Sequence, residues 1–99
     1  MKEIVKYEDL TAGDIVKFYS PCGGILYGIV IENEDCLSIW REKAMYSIIT
    51  HPYKDRLMWP IKLIQTSDDI PDYNIREFQN EVIDAAKRNG IEYNLRKET

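Results

Sequence analysis

The sequence holds one histidine and two cysteines in 99 residues, and that scarcity removes most metal and thiol chemistry. Cys22 and Cys36 do not form a CxxC pair, and His51 alone cannot complete a familiar zinc set with them. The expectation is two reduced, partly buried thiols. A disulfide across the hairpin between them would need an oxidising compartment. No catalytic motif or cofactor fingerprint is present, so no cofactor and no metal are expected. No apolar run reaches the roughly 18 residues of a membrane span, and the opening MKEIVKYEDL lacks the apolar core of a signal peptide. A cytoplasmic chain without membrane contact is expected. Repeats, low-complexity tracts and linkers are absent, which leaves one domain over residues 1–99.

An excess of positive charge is also lacking. The net charge is −4, which argues against a general nucleic-acid binder, because phosphate contacts need a cationic face. The distribution is uneven. Residues 1–39 carry three Lys and seven acids, residues 40–66 five Lys/Arg and two acids, and residues 67–99 five Lys/Arg and eight acids. A basic island therefore lies between two acidic parts.

What is present reads as β-structure followed by one helix. After the Gly13-Asp14 turn signal, Ile15–Tyr19 (IVKFY) is a strand, with Val16 and Phe18 on one side and Ile15, Lys17 and Tyr19 on the other. Residues 20–24 (SPCGG) break it. Ile25–Glu32 (ILYGIVIE) is nearly continuous apolar, which implies burial on both faces or a strongly bent central strand, and Gly28 inside it marks a bulge or bend. Asn33-Glu34-Asp35 turns the chain into Cys36–Glu42. Tyr46–His51 is a fourth strand and Leu57–Ile64 a fifth, which lies at an edge or changes course at Pro60. Residues 1–66 thus form the β part and 67–74 a polar connection.

The helix is expected over residues 75–89. Asn74 and Glu77 have capping-box spacing, and Tyr73 with Phe78 suits a hydrophobic staple. Ile75, Phe78, Val82 and Ala86, with Ile83 beside them, repeat along one face, while Glu77, Glu81, Asp84, Lys87 and Arg88 take the other. Gly90 is a C-terminal stop that lets Ile91 close on Ala86. Residues 91–95 alternate and form a short extended tail that either docks back or pairs with a second copy as a homodimer.

The pattern Leu10-x-x-Gly13-Asp14-x-Val16-x-Phe18, followed by Gly24-x-x-x-Gly28-x-Val30, resembles the opening hairpin of SH3-like barrels of the KOW and Tudor kind, over about 25 residues. The resemblance implies a mainly β (α+β) fold: a five-stranded antiparallel SH3-like barrel, or a strongly bent sheet, capped by an α-helix. Glu32, Glu34 and Asp35 stand where a nucleic-acid-binding version would carry Lys or Arg.

The candidate binding surface is the basic, aromatic stretch: Trp40, Arg41, Lys43, Tyr46, His51, Tyr53, Lys54, Arg56 and Trp59. Such residues are enriched at protein interfaces, and rings interleaved with cations also suit single-stranded nucleic acid. The alternative is that both Trp are core and the cations merely solvated. The leading expectation is a non-enzymatic adaptor or inhibitor domain that binds another protein, of a kind common in phages and mobile elements. A KOW-like nucleic-acid binder is the alternative. A small enzyme is the third, with Cys22 as nucleophile and His51 as base, oriented by Asp55. The acids at 32–35 and at 68–72 lack the alternating oxygens and glycine of a calcium loop.

Overall fold

The computed structural model describes the backbone of residues 2–20, 22–50 and 56–95. Six antiparallel strands form one unclosed sheet: β1 (Lys2–Lys6), β2 (Ile15–Tyr19), β3 (Ile25–Asn33), β4 (Cys36–Arg41), β5 (Ala44–Ser47) and β6 (Arg56–Leu63), in the order β1-β6-β2-β3-β4-β5. A helix, α1, follows over residues 75–89. The fold is thus mainly β with one C-terminal helix, but the five-stranded closed barrel is corrected to a six-stranded open sheet. The extra strand is β1. The fourth expected strand shifts upstream to β5, after which, among the described residues, an isolated bridge from Thr50 to Leu57 links residues 48–50 to β6.

β2 and β3 pair without a bulge through Gly28, which lies opposite Val16. Gly28 serves close approach instead. A Cβ there would lie 2.4 Å from Ile39 Cγ2 and 2.9 Å from the Trp40 carbonyl oxygen. At the β2 entrance Gly13 has φ 101°, a conformation that costs other residues strain. The buried Asp14 carboxylate accepts the Thr11 N–H there (2.9 Å).

The sheet curls. Phe18 on β2 meets Tyr46 on β5 edge-to-face with ring centroids 5.2 Å apart, although β3 and β4 lie between them. In a flat sheet those strands would stand about 14 Å apart, at roughly 4.8 Å per step. The inner face of the curl holds one core, built on Ile4, Val16, Phe18, Val30, Ile39 and Ile61. The outer face holds the second, where Ile15, Tyr27, Ile29 and Ile64 meet Phe78, Val82 and Ala86 of α1. β3 feeds both, which explains its continuous apolar sequence. β6 changes partners at Pro60: beyond it Ile61 and Lys62 pair with β2, and the pairing with β1 loses register between Ile4 and Lys6. A missing N–H is tolerated at such a crossing.

α1 departs from a regular helix. It is α-helical at Ile75–Phe78, π-helical over Gln79–Asp84 and α-helical again at Ala85–Asn89. The Asn74 capping box is not formed. Asn74 already has helical angles at the end of a 3-10 turn, Asp72–Asn74, and its side-chain amide donates to the Tyr27 hydroxyl (3.3 Å). The staple is absent too, since Tyr73 is 83% exposed, and Ile75 is exposed where an inward position was expected. The C-terminal stop forms as expected: Gly90 is left-handed, and Gly90 and Ile91 both donate to the Ala86 carbonyl. Residues 91–95 dock back. Asn94 N–H reaches Gly13 O (2.7 Å), and Ile91, Tyr93 and Leu95 pack against the helix-side core.

The β3–β4 turn places Glu34 (φ 51°) and Asp35 (φ 67°) in the left-handed region. That geometry favours Asn-Gly. Glu34→Asn with Asp35→Gly is expected to stabilise the protein by about 1 kcal/mol, read as a rise in Tm of roughly 4–8 °C in calorimetry.

Candidate binding surface

α1 covers only part of the sheet's outer face. On β2 and β6 the outward positions run from Ile15 and Ile64, under the helix, to Lys17 and Lys62, and then to Tyr19, Pro60 and Met58. Lys17 and Lys62 sit directly opposite each other across the β2–β6 pair, at the margin of the helix's footprint. Beyond them, no described element covers the face. Tyr19 is 49% exposed, Met58 54%, Val5 45% and Ile49 45%. These four come from four separate segments and meet through the sheet: the Met58 N–H donates to the Ile49 carbonyl (2.9 Å), and β1 lies beside β6.

Two recesses divide this surface, and Pro60 lines both. One, of about 40 Å³, lies between Lys17, Tyr19, Ile25, Pro60 and Lys62. The other, of about 210 Å³, is lined by Glu3, Val5, Met58, Trp59 and Pro60. A contiguous bare apolar surface with cations at its border is the ordinary composition of a docking face. A larger hollow of about 490 Å³ beside Tyr7, Glu32, Asp35 and Cys36 is acidic, and its Tyr7 hydroxyl already accepts the Leu37 N–H.

The stretch Trp40–Trp59 is split by the fold. Trp40 and Trp59 are each half-buried, but on opposite faces: Trp40 packs against the helix-side core and Trp59 against the inner one. Tyr46 spends its ring on Phe18. Arg41 is not on a surface at all; it is 6% exposed. Its Nη2 donates to Glu77 Oε1 (2.8 Å) and to Glu81 Oε2 of α1. Lys43, largely exposed, reaches Glu81 Oε1 at 3.0 Å. Arg56 lies in β6 opposite Lys6. His51, Tyr53 and Lys54 lie outside the described residues, as does Asp55, so the arrangement of His51 with Cys22 is not on view. Cys22 and Cys36 are free thiols, and exposed rather than partly buried. Among the described ones of the nine, Trp59 borders the Val5 and Met58 recess, with its ring against the inner core.

The Arg41 cluster fastens the β4–β5 turn to the π segment. The Glu81 carbonyl accepts the Glu42 N–H (3.3 Å), and both Glu42 carboxylate oxygens accept from Arg88 (2.9 and 2.8 Å). π turns recur where helix groups are drawn into other contacts. Burial would raise the Glu81 carboxyl, but hydrogen bonds from Lys43 and Arg41 outweigh it and hold that carboxyl below its ordinary value. The Tyr27 hydroxyl is raised, chiefly by burial and against the Asn74 hydrogen bond.

The bare surface has a faint sequence signal. Ile15, Lys17 and Tyr19 alternate onto one side of β2, and the last two are poor core residues. Val5, Ile49 and Met58 could not be joined to them without the strand order. Among the described residues no three His, Cys, Asp or Glu converge as a metal set, and no helix is long and apolar enough to cross a membrane. Comparison with protein-family models, with curated proteins and with solved structures finds no match.

Proposed function

We propose that this chain is a non-enzymatic protein-binding domain, an adaptor or inhibitor, whose contact surface is the bare outer face around Val5, Tyr19, Met58 and Pro60. The observation that carries the reading is the collection of four exposed apolar side chains from separate segments onto one continuous surface. Leaving them in water is costly relative to covering them, at about 25 cal/mol per Å² of apolar area. The reading keeps the SH3-like likeness of the β2–β3 hairpin, supported by the Gly13 turn and the close packing at Gly28. It also keeps the cytoplasm as the compartment, which two exposed free thiols suit.

A nucleic-acid reading of KOW type draws on Tyr19 beside Lys17 and Lys62. The net charge of −4 and the acidic β3–β4 turn weigh against it, since backbone contacts need cations.

The test compares wild type with a Val5→Glu, Met58→Glu variant as bait in native lysate, with captured proteins quantified by mass spectrometry. At least one captured protein is expected to fall by about tenfold, equivalent to roughly 1.4 kcal/mol, and to be retained by a Tyr73→Ser control. Identical capture profiles for all three baits would sink the reading.

A further inference from the structure

We infer that the partner segment is acidic and apolar by turns: one of its carboxylates seats between Lys17 and Lys62, and its apolar side chains lie over Pro60, Met58 and Val5. This rests on the protein-binding reading above and names the chemistry of what that surface takes.

Lys17 and Lys62 are cross-strand partners on the outer face of β2 and β6. Like charges directly opposite each other destabilise an antiparallel pair. No ion pair among the described residues relieves this pair. Among the described residues neither ammonium has a carboxylate within 4.0 Å. Glu3 lies opposite Lys62 on its other side without forming an ion pair, so the row Glu3–Lys62–Lys17 keeps one uncompensated positive charge. Both lysines are half-buried and line one recess with Tyr19, Ile25 and Pro60. The site is thus a pair of opposed cations whose charge suits an anion.

The recess between them selects the anion's size. At about 40 Å³ it exceeds the 10–15 Å³ needed for one water and suits a carboxylate. Its walls are Tyr19, Ile25 and Pro60, and past Pro60 the surface opens onto the Val5 and Met58 recess. An occupant therefore meets cations at one end and aliphatic surface at the other. A nucleic-acid strand offers a phosphate for the first part but charged backbone, not apolar side chains, for the second. A peptide with acids between large apolar residues satisfies both.

The experiment is an amide NMR titration of the full chain with three octapeptides of identical apolar residues: acetyl-Glu-Phe-Asp-Leu-Glu-Phe-Asp-Leu-amide, its Gln/Asn twin and its all-Lys twin. A twelve-residue oligothymidine is run alongside. The acidic peptide is expected to shift the amides of Lys17, Tyr19, Ile25 and Lys62. It should bind about tenfold more tightly than the neutral twin, a difference of roughly 1.4 kcal/mol, and Lys17→Gln with Lys62→Gln should erase that advantage while leaving the spectrum dispersed. Equal binding of acidic and neutral peptides at these residues overturns the carboxylate seat and leaves the protein-binding reading standing. Preference for the basic twin, or silence of these residues toward every probe, also overturns the inference. Oligothymidine binding here overturns both readings. Shifts at these residues that grow with protein concentration alone would assign the face to a second copy and overturn it as well.

Discussion

Gly28→Ala is expected to destabilise the protein by about 3 kcal/mol, read as a Tm lower by roughly 12–24 °C. The added methyl has nowhere to go. It would lie 2.4 Å from Ile39 Cγ2 and 2.9 Å from the Trp40 carbonyl oxygen. Ile39 is buried in the inner core, and its branched Cβ leaves few alternative rotamers. Trp40 pairs with Ile29 in the same ladder, so its carbonyl cannot retreat without disturbing β3 and β4 together. A control separates crowding from the usual effect of replacing glycine. Gly23→Ala meets no atom within 4 Å but sits at φ 88°, and should cost only about 1 kcal/mol of left-handed strain. Equal losses at the two positions would mean that the β3–β4 contact yields. The contact matters beyond stability, because it lies beside the curl that brings β5 over β2.

How far this was legible from the sequence can be followed through a few residues. The strands Ile15–Tyr19 and Ile25–Asn33 announce themselves because one alternates cleanly and the other is buried on both faces. Gly28 stands out for the same reason, although its role is close packing and not a bulge. β1 is hidden because Lys2–Lys6 buries a single residue, Ile4, too little for a period-two signal. The extent of α1 and its Gly90 stop are local properties and were readable. Asn74 was not, because the 3-10 turn before the helix is decided by the contact of Asn74 with Tyr27, forty-seven residues away. The candidate binding stretch is divided between faces for a geometric reason. Neighbours along a strand point to opposite faces, and strands far apart in sequence share one. Trp40 and Trp59 therefore separate, while Val5, Tyr19, Ile49 and Met58 converge.

Arg41 shows the same limit, and its replacement carries the second large effect. Arg41→Ala is expected to cost about 2–3 kcal/mol in urea unfolding. Removing one partner of a buried ion pair typically costs 3–5 kcal/mol, but Glu77 and Glu81 retain 35% and 20% side-chain exposure, so water recovers part of the loss. The effect should depend on pH. The folded state holds the Glu81 carboxyl below its ordinary value of 4.5, so this stabilisation is complete above that pH and fades as pH falls through it. Wild type and variant should therefore converge in stability at acid pH. Convergence at alkaline pH instead would show that Glu81 is not the coupled group. Among the described residues, Arg41 Nη1 is buried without a hydrogen-bond partner, a burden of the kind that makes buried ion pairs replaceable by apolar ones. Arg41→Met combined with Glu81→Leu should accordingly recover most of what Arg41→Ala loses. Lys43 would then stand without its carboxylate, at little cost, because it is 77% exposed and surface pairs contribute at most about 1 kcal/mol. The cluster would on that result be one of several ways to fasten the β4–β5 turn to the π segment, chosen for its geometry and not for its strength.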